Sequence, residues 1–379
     1  MKHQYEIGII GGGLAGLCAS IQLAKKGHSV VLYEKNHYPF HKVCGEYISL
    51  ESREFLRSLG FDAFEHDLPQ IKNFTLSHTN GKVLNLKLPL GAFGVSRHYI
   101  DDKLAEIALE SGVVLLQGTE VTDVEFFDVN DVFKVSTKTG DLIFKQVLGS
   151  YGKRSKLDKK KNRPFIEKIK DPKNNFVGVK YHVKSDIDED KIELHLFEEG
   201  YGGISRVEGD KTCFCYLTTA NLLKKSGGDI TAMEEKFLRA NPHLNDHFNS
   251  FEKLWDEPLT ISNIEFGPKE QVHNHIIMLG DAAGMITPLT GNGMSMAMHA
   301  SKLASEEVVK FLAGKATRDQ MEANYTKLWQ KHFGKRVKRA RKYQNMFFKE
   351  NLVSSVMSAA NVVPFVGKLM VKSTHGKSF

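Results

Sequence analysis

Three glycines at a G-x-G-x-x-G spacing (Gly11, Gly13 and Gly16) stand eighteen residues before an acid, Glu34. That combination can hold a dinucleotide. The first glycine permits a tight turn, and the second lets backbone N–H groups approach a pyrophosphate. The third lets a helix pack closely on a strand, with the phosphates at the positive helix end. The carboxylate accepts hydrogen bonds from ribose hydroxyls. The elements that must position these residues are legible around them. Ile7-Gly8-Ile9-Ile10 suits a buried parallel strand, and Leu14, Leu17, Cys18 and Ile21 recur at helical spacing. Gly27 sits at a helix C-cap, and Val30-Val31-Leu32-Tyr33 makes a second strand ending in Glu34. A glycine-rich turn alone would be weak. Strand, motif, helix, strand and acid together are specific.

A second glycine-rich stretch lies some 270 residues on. The apolar run Ile276-Ile277-Met278-Leu279 leads into Gly280-Asp281-Ala282-Ala283-Gly284, followed by Pro288 and Gly291-Asn292-Gly293-Met294. By itself Gly280-Asp281 could be an Asx-capped turn; its pairing with the first motif argues for a ligand site. The loop Lys42-Val43-Cys44-Gly45-Glu46-Tyr47 supplies a thiol, an acid and a phenol near the first motif. Cys44 reads equally as an inert buried thiol, and Glu46 and Tyr47 as structural hydrogen-bonding groups or proton donors. His299 reads as an ordinary helix residue.

The remaining elements follow from periodicity. A short amphipathic helix spans 50–60, and strands at 71–78 and 82–88 flank the turn Asn80-Gly81. Asp101 and Asp102, just after Arg97, are candidate caps for a helix over 102–111, and 113–118 reads as a third buried strand. Residues 121–148 form an antiparallel meander. Strand-like segments at 176–183, 191–197 and 212–219 precede helical periodicity at 229–240, 293–312 and 318–349.

The 379 residues, 26% charged and 41% hydrophobic, describe a soluble globular chain with room for two or three units. The opening apolar run is too short for a signal peptide, and four cysteines give no disulfide framework, so the expectation is cytoplasmic. Cys213 and Cys215 lack a second pair to complete a zinc site, and no metal is expected. The net charge of +7 concentrates in 153–170, with nine Lys/Arg, and in 331–349, with eight and no acid. Without interleaved aromatics or a binding module, neither run points to nucleic acid. A solvated face, an anionic membrane surface and a phosphorylated cosubstrate are the readings left.

Gly280-Asp281, Pro288 and Gly291-Asn292-Gly293-Met294 resemble the GD motif of FAD-dependent flavoproteins, the group of aromatic hydroxylases, flavin halogenases and geranylgeranyl reductases. Arg97 is similar to that group's flavin-contacting arginine, and Lys42-Val43-Cys44-Gly45 resembles the K-x-C-G segment of its reductases and halogenase-like members. The resemblance spans residues 5–312 and implies FAD as cofactor. The site it implies comprises Gly11, Gly13, Leu14, Ala15, Gly16, Glu34, Lys35, Lys42, Cys44, Arg97, Val121, Gly280, Asp281, Ala282, Gly291, Gly293 and Met294. Asp281 would bind the ribityl chain, and the helix after Gly293 would aim its positive end at the flavin.

Three departures qualify the resemblance. Tyr151 stands where the group carries the aspartate of an Ala-Asp-Gly sequence, which opens the question whether NAD(P)H or a separate reductase supplies electrons. The tryptophans Trp255 and Trp329 cannot form the W-x-W-x-I-P signature of halogenases. Around Tyr201 the tryptophan and proline of the geranylgeranyl reductase motif are absent.

The expected fold class is α/β: a discontinuous Rossmann-like FAD-binding domain (1–70, 95–170 and 265–315), an antiparallel-sheet substrate-binding domain (71–94 and 171–264) and a helical C-terminal segment (316–379). The expected activity is FAD-dependent oxidation chemistry on an apolar or aromatic small molecule. Flavin monooxygenase-type hydroxylation is placed ahead of double-bond reduction. The alternative of another class is a non-enzymatic carrier of prenylated or lipid partners on the same fold. The basic helix and the apolar tail after it suggest peripheral membrane contact.

Overall fold

The computed structural model describes residues 4–153, 155–166, 175–264, 266–348, 350–362 and 376–379. The first part of the chain runs β1 (Tyr5–Ile10), α1 (Leu14–Ala24), β2 (Val30–Tyr33), β3 (Tyr47–Ser49), α2 (Arg53–Leu59), β4 (Gln70–Ser77) and β5 (Val83–Gly94). Next come α3 (Arg97–Glu110), β6 (Val114–Leu116), β7 (Val121–Phe127), β8 (Val132–Thr137), β9 (Asp141–Gly149) and α4 (Lys156–Lys160). The middle holds β10 (Phe176–Lys184), β11 (Lys191–Phe197), β12 (Gly200–Val207), β13 (Lys211–Thr219), α5 (Ala220–Lys225), α6 (Ile230–Met233) and α7 (Pro242–Ser250). Then follow β14 (Glu252–Lys253), β15 (Leu259–Ile264), β16 (Val272–His273) and β17 (Ile276–Met278). Four helices end the described chain: α8 (Gly293–Leu312), α9 (Arg318–Trp329), α10 (Lys335–Phe347) and α11 (Glu350–Val362).

Among the described residues the strands form two sheets, and the fold is the expected mixed α/β one. In the first sheet the order is β16-β17-β9-β1-β2-β6, with the meander β7-β8-β9 attached. β1 lies parallel to β2 and β9, β2 to β6, and β9 to β17. Covered on both faces, β1 and β2 can be apolar along their length, and Ile7, Ile9, Val31 and Leu32 are fully buried. α1 is buried on nearly every side and packs on α8 and α3. That position explains why its sequence carries so few polar residues. The second sheet has the order β14-β10-β13-β12-β11-β4-β5-β3, with β15 on β10. It is antiparallel apart from β4 beside β11.

Some expectations change. Ser96, whose hydroxyl accepts from Tyr99 N, caps α3, so the helix begins at Arg97 and Asp101 is an interior residue. The 113–118 run is an edge strand with Val114 39% exposed, because no strand among the described residues pairs beyond it on that side. α7 was not anticipated, although Asn241 accepting from His243 N and Leu244 N, with Pro242 behind it, is a strong start signal. Helicity at 229–240 and 318–349 is interrupted by π segments at Glu234–Leu238 and Gln330–Gly334. Arg154, 167–174 and 363–375 of the basic run and the apolar tail lie outside the described residues.

Candidate cofactor and substrate site

A cavity of about 1130 Å³ runs between the two sheets. That exceeds the ~300–1,000 Å³ of a typical single-ligand site, leaving room for a cofactor and a second molecule. One part of its wall is the C-terminal edge of the first sheet, with Gly11, Gly13, Leu14, Ala15, Glu34, Lys35, Val121, Gly280 and Asp281. Lys42, Cys44, Glu46, Tyr47 and Arg97 join from the loop before β3 and the start of α3. Gly291, Gly293 and Met294 join from the start of α8. Chain segments distant in sequence thus converge as the two motifs suggested. Gly16 and Ala282 do not face the cavity. A Cβ on Gly16 would sit 2.0 Å from Gly11 O, so its role is close packing of α1 on β1. Ala282 is fully buried, and its carbonyl accepts from Arg163.

Gly13 differs from its neighbours in the motif. Its φ of −81° is open to any residue, and an added Cβ would meet only Arg97 Nη2 at 3.6 Å and Lys42 Nζ at 3.9 Å. The empty volume over the N-terminus of α1 is therefore bordered by two cations, the chemistry a pyrophosphate needs. Asp101 holds both in place: its carboxylate accepts from Lys42 at 2.8 Å and from Arg97 at 2.9 and 2.7 Å. Burial drives the Asp101 carboxyl upward, but the two cations outweigh it and keep it ionised. Glu34 accepts from Gly12 N and from Asn36, each at 2.9 Å, which pins it where further lone pairs face the cavity. The residues present fit FAD.

Behind the loop lies a buried ionic cluster that the sequence reading did not foresee. Glu46, at φ 55°, is fully buried and accepts from Lys180 Nζ, from His182 Nε2 at 2.6 Å and from Arg97 N at 2.8 Å. Burial alone would raise its carboxyl; Lys180 and His182 override this and hold it at about 2. Glu46 is therefore held as a carboxylate by its partners, the arrangement of a structural hydrogen-bonding group. The available signal was Lys180 and His182 at alternate positions within the strand Phe176–Lys184, whose only other charged residue is the exposed Lys184 at its end. Burial pushes the Tyr47 phenol and the Cys44 thiol up, so both stay protonated. Cys44 Sγ sits 3.7 Å from Met294 Sδ. Tyr151 also lines the cavity, with its hydroxyl 3.2 Å from Met278 Sδ. Lys153, another lining residue absent from the sequence reading, is lowered by burial and opposed by Asp281.

The rest of the wall is mostly apolar. Leu76, Leu84, Leu86, Ile192, Leu194, Leu217 and Ile261 come from one face of the second sheet, and Tyr343 and Phe347 come from α10. Tyr201 faces the cavity with a fully enclosed hydroxyl. His299 stacks on Phe379 at 4.1 Å and is not among the lining residues.

A family model described as an FAD binding domain matches residues 4–328. Tryptophan 2-halogenase of Chondromyces crocatus is 25% identical, over 86% of this chain and 65% of its own length. Digeranylgeranylglycerophospholipid reductase of Methanococcus vannielii is also 25% identical, over 98% of this chain and 95% of its own. A solved flavoprotein/dehydrogenase from Cytophaga hutchinsonii superposes with a TM-score of 0.80 at 18% identity, over 98% of this chain and 92% of that one.

Proposed function

The chain belongs to the FAD binding domain family, and from that premise we propose that it is an oxidoreductase acting on an elongated apolar small molecule. The observation that carries this is the continuity of the cavity, from the cation-bordered turn at Gly13 to the leucine-rich face of the second sheet. FAD, when bound, supplies the electron transfer. The chain's own residues bind and orient. The N-terminus of α1, with Arg97 and Lys42, would neutralise the pyrophosphate, and Asp281 would accept from the ribityl hydroxyls. The start of α8 would direct positive potential at the ring system. The aliphatic wall excludes water and fixes the substrate by shape rather than by charge.

Hydroxylation remains the first reading. Double-bond reduction is the second, favoured by the leucine-rich face of the second sheet and by the near full-length match to a lipid reductase. Oxygen uptake separates them. With reductant and an alkyl- or prenyl-bearing substrate, a hydroxylase consumes oxygen in step with product. Turnover undiminished under anaerobic conditions would replace the first reading with the second. No turnover by an FAD-loaded protein that still binds such a molecule would favour the carrier.

The same reading includes loading from a membrane surface. Lys331, just before α10, and Lys335, Lys338, Arg339 and Lys342 on it are exposed, while its Tyr343 and Phe347 line the cavity. Arg336 turns inward to Glu51 at 2.9 Å. No helix among the described residues is long and apolar enough to cross a membrane.

A further inference from the structure

On the second sheet, side chains alternate between faces, and Ile192 and Leu194 point into the cavity. Glu193 and His195 therefore share the opposite face of β11, where α7 packs and contributes His247. Glu193 Oε2 lies 2.7 Å from His247 Nε2 and 3.2 Å from His195 Nε2, and the three potential ligand atoms fall within 4.8 Å of one another.

Two features separate this cluster from an ordinary hydrogen-bonded trio. His195 is 1% exposed, and its Nε2, aimed at the group, approaches Glu193 Oε2 at 3.2 Å without forming a hydrogen bond among the described residues. Its other nitrogen, Nδ1, is engaged by Ser77 Oγ at 2.7 Å, and Asn241 Nδ2 in turn donates to Ser77 Oγ at 2.8 Å. A metal-bound imidazole needs this arrangement: one nitrogen held by an outer partner, the other free for the ion. For ions bound at ~2.0–2.1 Å in a tetrahedron, neighbouring ligand atoms stand ~3.3 Å apart. The 3.2 Å spacing already meets this, and the 2.7 Å spacing must open by a few tenths of an ångström. Lys191 Nζ, 3.7 Å from Glu193 Oε1, is a competing cation, but its closer partner is Asp188 at 2.6 Å.

We propose that Glu193, His195 and His247 form a binding site for a divalent transition metal, with zinc the best match, completed by water on the partly exposed His247 side. Nitrogen and carboxylate donors in this number suit zinc and exclude a calcium- or magnesium-type oxygen cage. The ion would tie α7 to β11 on the face away from the cavity. The comparable set Glu46, His182 and Cys213 does not qualify, because Lys180 already neutralises its carboxylate.

The test is equilibrium dialysis of the full-length, FAD-loaded protein against zinc chloride, with metal counted by elemental analysis. One zinc per chain is expected in the parent protein, and none in His247→Ala, whose partly exposed helix position keeps the fold intact. His243→Ala, one helical turn away with its ring hydrogen-bonded to Gly81 O, should leave stoichiometry unchanged. Ser77→Ala should keep the site but weaken it ~10–100-fold by releasing the His195 ring. Cobalt(II) should give tetrahedral ligand-field absorption in the parent and lose it in His247→Ala. No zinc retained by the parent, or equal retention in His247→Ala, would overturn the assignment.

Discussion

Replacing Gly13 by valine should remove FAD and spare the fold. Gly13 is the N-cap of α1 in extended backbone, so a branched residue meets no strain there. Glycine is a better N-cap than valine, so the cost to the FAD-free protein should stay near ~1 kcal/mol. For a chain of this size that is a midpoint shift of only ~1–2 °C. The Cβ instead projects into the volume bordered by Arg97 Nη2 and Lys42 Nζ at 3.6 and 3.9 Å. A phosphate displaced from that position loses at least two charge-assisted hydrogen bonds worth ~1.5–3 kcal/mol each. The resulting ~3–6 kcal/mol corresponds to a ~10²–10⁴-fold weaker Kd. Quenching of FAD fluorescence on titration measures the affinity, and thermal unfolding of flavin-free protein measures the fold. Gly16→Ala is the counterpart. Its Cβ would strike Gly11 O at 2.0 Å, so stability itself should fall, by ~1–3 kcal/mol or more. Unchanged FAD affinity in Gly13→Val, or equal destabilisation by both variants, would refute the reasoning.

Three further predictions rest on other parts of the site. Glu46→Gln should cost ~3–5 kcal/mol, because Lys180 would be left buried without its counter-charge. In the parent, the contribution of Glu46 should be intact above pH 5 and lost as pH falls from 4.5 toward about 2, since its folded value is depressed. Denaturant titrations at pH 6 and pH 3 should show the two proteins converging at the lower pH; a constant gap would contradict this. Direct reduction by NADPH should be slow in the parent and faster in Tyr151→Asp under stopped-flow, and equal rates would make the position irrelevant. Finally, the protein should co-sediment with anionic vesicles, less at high salt, whereas a chain ending near Lys331 should not. Each exposed lysine or arginine of α10 contributes ~1 kcal/mol, screened over ~8 Å at physiological ionic strength. Equal recovery of both would leave α10 as ordinary packing.

The Rossmann-like half was readable because its signals are local. A strand, a glycine turn and a helix follow one another, and α8 runs over Gly293–Leu312 as its periodicity suggests. The second glycine motif converges on the first because β17 pairs in parallel with β9, itself beside β1. What escaped notice depends on partners far apart in sequence. Lys180 and His182 reach Glu46 across more than 130 residues, and Asp101 looked like a cap until Ser96 took that role. Nor could spacing separate Gly13, which opens on the cavity, from Gly16, which closes on a carbonyl. The leucine-rich wall is drawn from β4, β5, β11 and β13, whose alternation shows one buried face but not what that face encloses.

The most direct measurement is the absorption spectrum of the full-length protein after loading with excess FAD and desalting. Retained flavin bands at about one FAD per chain, with the flavin released intact on denaturation, are the predicted result. A colourless protein that is still folded by circular dichroism would contradict the account.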